Sequence, residues 1–203
     1  MFSKTAIAAG LATYASAAVS LGSCPDFKGM ANFEPEKYMG RWYGISKDVT
    51  NFYELIGSCN VADYTLNDDR TVEVHNWGSK LLKTDDIIGK AAIVDSKDAT
   101  LDVQFFSEPS ASADGNYTVL YTDYETYTVV YDCRYLLNGL VAYQIVDVLA
   151  RTPTLPDSKM IEIVAKIEEL VPSYSWFHWM RPVRQELGCN YDNYLPVPPQ
   201  PEF

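Results

Sequence analysis

The stretch between Gly40 and Arg151 constrains the fold more than any other part of the chain. Short runs with two-residue alternation follow one another there, separated by compact polar turns. In RTVEVHNWG, Val72, Val74 and Asn76 face one way and Glu73 and His75 the other. In ATLDVQFF, Leu101, Val103 and Phe105 oppose Asp102 and Gln104. A period of two marks a half-buried strand. NYTVLYTDY and ETYTVVYDC are β-branched and aromatic, LVAYQIVDVLAR is a longer apolar run, and 40–48, 57–66 and 86–94 bring the set to eight strands. The links NDDR, DSKD, PSASADG and LNG are short, which implies consecutive antiparallel hairpins.

One helix follows. In LPDSKMIEIVAKIEEL, Met160, Ile163, Val164, Ile167 and Leu170 recur at helical spacing, and Pro172 ends the run. A single apolar stripe of this kind packs against the outside of a sheet. Eight up-and-down strands and one helix predict an all-β fold: a closed eight-stranded antiparallel β-barrel with a C-terminal α-helix outside it. Closure removes exposed sheet edges, and a barrel of this size encloses one small ligand. The length, 203 residues, suits one domain. The formal net charge of −11 argues against a nucleic-acid partner, whose phosphates it would repel.

The N-terminus reads differently. MFSK supplies a short positive start, and TAIAAGLATYASAAV is apolar and uncharged. The apolar run is shorter than the ~20 residues a membrane helix needs, and small residues follow it for a signal peptidase. The expectation is a secretory signal over 1–20, cleaved near 20–22, a folded domain over 24–191, and a disordered proline-rich tail over 192–203. The mature protein is then secreted and extracellular.

Four cysteines, Cys24, Cys59, Cys133 and Cys189, all follow that signal. In an oxidising compartment an even number implies two disulfides, and spacing alone leaves three pairings open. None lies in a CxxC, and His75 and His178 are the only histidines, so no metal site is expected. Asn116 opens an N-x-[ST] sequon and is a candidate glycosylation site. In SYSWFHWMRP, Trp176, Phe177 and Trp179 read as cover for the barrel's flank, with a membrane or protein contact as the sharper alternative.

Three motifs carry a resemblance. FEPEKYMGRWYGISK contains a G-x-W at Gly40 and Trp42; TDYETY contains Thr122, Asp123 and Tyr124; VLARTPTLP places Arg151 at the end of the last strand. In this order they resemble the lipocalin family, over about Cys24 to Cys189. The resemblance implies that Trp42 plugs the closed end of the barrel with Arg151 across its ring, and that all six motif residues are structural. It also implies the pairings Cys24–Cys133 and Cys59–Cys189.

The resemblance implies a ligand cup as well. With Cys59 directed outward, alternation turns Asn60, Ala62 and Tyr64 inward. Tyr64 and Tyr117 match tyrosines that line the pocket of a relative, and Asp147 stands where that relative has a tryptophan. The expected lining is Ala62, Tyr64, Val72, Val74, Leu101, Val103, Phe105, Tyr117, Tyr143, Ile145 and Asp147. A carboxylate in an apolar cup is costly unless paired, so Asp147 reads either as a contact for a polar or cationic ligand group or as a water-bonded side chain. The functional expectation is a secreted carrier of one small hydrophobic ligand (a lipid, sterol, bilin or carotenoid). The alternative is an enzyme on the same barrel, an isomerase or de-epoxidase, which would need a nucleophile or acid–base group inside. With every cysteine committed to a bridge, no catalytic residue is assigned, and no cofactor is expected beyond a bound chromophore or lipid.

Overall fold

The computed structural model describes residues 19–21, 24, 27–49, 57–80, 83–95, 98–105, 117–136, 140–185 and 188–193. A short strand β1 (Val19–Leu21) and a helical turn α1 (Pro35–Tyr38) precede the barrel. The barrel strands are β2 (Gly40–Asp48), β3 (Gly57–Leu66), β4 (Val72–Lys80), β5 (Lys83–Asp95), β6 (Thr100–Phe105), β7 (Tyr117–Thr122), β8 (Tyr127–Leu136) and β9 (Val141–Ala150). Each pairs antiparallel with the next, and β2 pairs with β9 to close the ring. After it come α2 (Asp157–Leu170), a helical turn α3 (Trp176–Trp179) and a strand β10 (Met180–Pro182).

The eight expected strands and the external helix are all present. Several boundaries differ: β4 and β8 run on to Lys80 and Leu136, β5 is longer than the expected 86–94, and β7 is confined to Tyr117–Thr122. The cleavage position expected near 20–22 falls at β1, whose Val19, Ser20 and Leu21 pair with Tyr143, Ala142 and Val141 of β9. Asp192 and Asn193, expected in the tail, form a 3-10 turn with Tyr191; residues 194–203 and Asn116 lie outside the described residues.

Alternation sorts the apolar side chains into two cores. The inner one fills the closed end of the barrel and includes Phe33, Tyr38, Trp42, Ala62, Tyr64, Val72, Val74, Leu101, Val119, Val130 and Leu149. The outer one lies beneath α2. There Ile163 and Ile167 of the helix pack with Val129 and Tyr131 of β8 and Val146, Val148 and Ala150 of β9. Trp176 and Trp179 pack against this outer core, while Phe177 is 71% exposed. The flank-covering expectation therefore holds for the two tryptophans and not for Phe177.

Bulges reshape the wall away from the floor. In β2 the register shifts between Gly44 and Ser46, and in β3 between Ser58 and Val61. An extra residue frees a carbonyl and reverses the alternation beyond it. The segment after α3 runs between β2 and β3 beyond their bulges, where the Cys59 N–H donates to Arg184 O at 2.8 Å. β10 pairs with Ser46–Asp48 of β2, and the Val183 N–H donates to Ile45 O at 2.9 Å. The buried Gln185 amide donates to Gly44 O and Asn60 O, both at 2.7 Å. Disulfides Cys24–Cys133 and Cys59–Cys189 tie both arms to the barrel, in the pairing the family resemblance implies.

Candidate functional site

The floor is built by the motif residues. Gly40 has a φ of +90°, a conformation that favours glycine, and admits the chain at the start of β2. Trp42 is fully buried, its Nε1–H donates to Tyr38 O at 2.8 Å, and the Arg151 guanidinium lies 3.6 Å from its ring centroid. Arg151 also donates to Tyr124 O at 2.9 Å, Arg41 O at 2.9 Å and Lys37 O at 3.0 Å. Asp123 accepts the N–H groups of Glu125, Thr126 and Tyr127 at 3.1, 2.7 and 3.1 Å, which fixes the β7–β8 turn. Burial pushes its carboxyl up, and those N–H groups outweigh burial and leave it below its ordinary value.

Above the floor three phenols meet. Tyr117 Oη lies 2.9 Å from Tyr38 Oη and 3.2 Å from Tyr64 Oη, and Tyr38 Oη is 3.3 Å from Thr128 Oγ1. Burial raises all three phenols, Tyr38 to about 12. They stay protonated at neutral pH and act as neutral hydrogen-bonding groups.

The expected lining residues share the inner face. Ala62, Tyr64, Val72, Val74 and Leu101 are buried in the inner core, and Val103, Phe105 and Tyr117 pack half-buried against it. On β9, Asp147 pairs with Val130, Ile145 with Asp132 and Tyr143 with Arg134, which puts all three on the face of Leu149. Val72, at 2% exposed, is the most buried of them.

The inner face also carries residues that alternation did not expose. Lys47 is one. Counting by twos from Trp42 turns Ser46 and Asp48 inward, but the β2 bulge turns Lys47 in and Asp48 out. The Lys47 Cε and the Asn60 Cβ are each 3.3 Å from the point where a Cβ on Gly44 would stand, and Asp48 accepts a hydrogen bond from Tyr174 Oη in the outer core. Lys47 and Asp147 attract each other across the β2–β9 seam. Asp147 Oδ1 accepts the backbone N–H of Asp48 at 2.9 Å, where the two backbones no longer pair. Burial pushes the Asp147 carboxyl up to about 6 and the Lys47 ammonium down to about 8. The Asp147 carboxylate therefore serves the protein's own seam. Tyr38 was also missed, since its phenol arrives from α1 and not from a strand.

His75 faces outward, with Nε2 3.1 Å from Asp86 Oδ2. Among the described residues no cluster of histidine, cysteine and carboxylate side chains is arranged to hold a metal ion.

A lipocalin-like domain matches residues 33–182. Apolipoprotein D of Macaca fascicularis is 37% identical over 150 residues, 72% of this chain and 75% of that protein. The Lazarillo protein of Schistocerca americana is 30% identical over 136 residues, 66% of this chain and 62% of that protein. Among solved structures, insecticyanin from the tobacco hornworm Manduca sexta superposes with a TM-score of 0.71 at 20% identity, over 86% of this chain and 93% of that one. H1 crustacyanin from the lobster Homarus americanus gives 0.64 at 19% identity, over 86% and 94%. Geometry and likeness agree on a class: small β-barrels that enclose an inner surface above a plugged floor. The chain belongs to the lipocalin family.

Proposed function

We propose that this protein is a secreted carrier that holds one small hydrophobic molecule inside its barrel. The observation that carries the reading is the graded inner face. It is closed below by Trp42 and Arg151, apolar along most of its wall, and half-buried at Val103, Phe105, Tyr117 and Tyr143. Such a surface, with a few hydroxyls among apolar side chains, suits a ligand with a hydrophobic body and one or two polar atoms. The expected lining set, Ala62 through Asp147, is the proposed contact surface.

The enzyme alternative has less support. All four cysteines are bridged, which leaves no thiol nucleophile. Asp147, the one acid expected inside, is engaged by Lys47 and the Asp48 N–H. Secretion is supported by the apolar N-terminal segment and by the two disulfides, which persist in oxidising compartments.

Native mass spectrometry of protein purified from its source tests the reading. A bound small molecule released by organic solvent is the expected result. A visible absorption band would narrow it to a bilin or carotenoid, and a colourless extract to a lipid or sterol. Ligand-free protein that also fails to take up apolar probes would contradict the proposal.

A further inference from the structure

The last barrel strand changes partners along one of its edges. β8 pairs with β9 over its whole length, from Val141 to Ala150. On the other edge the ladder with β2 runs from Tyr43 opposite Ala150 to Ser46 opposite Val148 and stops there. Next to it the Asp147 side chain takes the Asp48 N–H in place of a backbone pair. Further along the same edge β1 takes over, with Val19 opposite Tyr143, Ser20 opposite Ala142 and Leu21 opposite Val141. Without β1 the backbone N–H and C=O groups on that edge lose their partner strand, beside an Ala142 that is fully buried. A bare strand edge also recruits strands of other chains.

A covalent tether holds β1 to this place. From Leu21 to Cys24 the chain spans at most about 10 Å. Cys24 is bridged to Cys133 of β8, with 5.9 Å between the Cα atoms, and Cys133 pairs with Gln144, the neighbour of Tyr143. The bridge keeps residues 19–21 beside the edge they pair with, at the high effective concentration of an intramolecular contact. The arm that follows is laid on the wall as well. The Phe27 ring meets Tyr131 of β8 at a centroid distance of 4.9 Å, and the Met30 N–H donates to Val119 O at 2.8 Å.

The position of β1 bears on where a secretory leader ends. A cut after Ser20 would divide the strand, and a cut after Gly22 would remove it. The sequence offers an earlier site. Ala15-Ser16-Ala17 has the A-x-A form that a signal peptidase reads, and it stands directly behind the apolar run TAIAAGLATY. A cut there gives a leader of ordinary length and spares the strand.

We propose that the leader is removed after Ala17, so that the mature chain opens on Ala18 and keeps Val19–Leu21 as a strand of its barrel wall. The inference rests on the secretion in the reading above and fixes the processing site. Tyr143, whose backbone β1 braces, belongs to the proposed lining of the cup, so the position of the cut decides whether that part of the wall is supported.

The full-length chain is expressed in secreting eukaryotic cells, and protein from the medium is read by N-terminal sequencing and intact mass. Ala18 as the first residue is the expected result. A first residue at Val19 or later would overturn the cut, and one at Ser20 or later would overturn the retention of β1 as well; both leave secretion standing. Protein that stays in the cells with Met1 in place would overturn secretion and the cut together. A second measurement tests the strand. Chains that begin at Ala18 and at Ser23 are secreted behind one unrelated leader and compared by hydrogen exchange. Loss of β1 should speed exchange at Val141–Tyr143 and leave Val148–Ala150, which β2 still covers, unchanged. If the shorter chain is not secreted, Ser20→Pro in the longer one, which breaks the strand, gives the same reading. Equal exchange at Val141–Tyr143 would show that β1 is no part of the mature wall.

Discussion

The guanidinium of Arg151 lies 3.6 Å from the ring centroid of Trp42, and the two side chains donate to the same carbonyl, that of Tyr38, at 3.3 and 2.8 Å. The last barrel strand thereby locks the first. The contact is a cation–π stack set on a hydrogen-bonded frame, and the planar fork of arginine serves both parts.

Arg151→Lys should therefore destabilise the barrel by about 2 kcal/mol, because one ammonium cannot reach the carbonyls of Tyr124, Arg41 and Lys37 together. Trp42→Ala should cost more, ~3–5 kcal/mol, the usual loss for a buried large aromatic. Urea unfolding measures both. A variant that unfolds like wild type but no longer binds ligand would remove these residues from the floor and put them in the site.

Gln185 makes an independent claim. Its amide serves the two carbonyls that the β2 and β3 bulges release. Gln185→Leu removes both donations and should lower stability by about 2–4 kcal/mol. An unchanged urea midpoint would show that the C-terminal segment does not support the wall.

The Lys47–Asp147 pair should shape the pH profile of stability. The Asp147 carboxyl is raised from 3.8 to about 6, with burial the leading cause. Between about 4 and 6 the folded chain holds a proton that the unfolded chain has lost, so stability falls as pH rises through that window. Burial lowers Lys47 from 10.5 to about 8. Between about 8 and 10.5 the folded chain has released a proton that the unfolded chain keeps, so stability rises with pH there. Lys47→Met/Asp147→Leu should remove both slopes and be neutral or stabilising near neutral pH, as often holds when apolar groups replace a buried ion pair. Chemical denaturation across this pH range decides the matter; slopes that persist in the double variant would assign them to other groups.

Non-reducing peptide mapping should recover Cys24 linked to Cys133 and Cys59 linked to Cys189. Replacing Cys59 and Cys189 by alanine should cost ~2–4 kcal/mol, because the bridge closes a long loop of the unfolded chain. Any other linkage would detach the C-terminal arm from β3.

Much of this architecture was legible because strand alternation is a local signal. Val72, Val74, Leu101, Val103 and Phe105 reveal their face through their neighbours alone, and the stripe from Met160 to Leu170 reveals the helix in the same way. The roles of Trp42 and Arg151 were not local, and only the motif order supplied them. Alternation failed where the backbone broke its own period. The bulge at Gly44–Ser46 reversed Lys47 and Asp48, and nothing in GISKD announces the shift except the glycine. Asn60 and Asn76 were assigned the right face. Tyr38 joins the inner core through α1, which no two-residue pattern detects.

The central claim is that the ligand sits inside the barrel, and filling the barrel tests it most directly. Ala62 is small, buried and paired with Trp42 on one side and Asn76 on the other. Ala62→Trp fills the space above the floor at a cost of ~1–3 kcal/mol from overpacking. Retinol fluorescence should be titrated into wild type and Ala62→Trp, with far-UV circular dichroism to confirm that both retain the sheet. Saturable binding to wild type and its loss in the folded variant is the predicted result. Equal binding by both proteins would contradict an internal site.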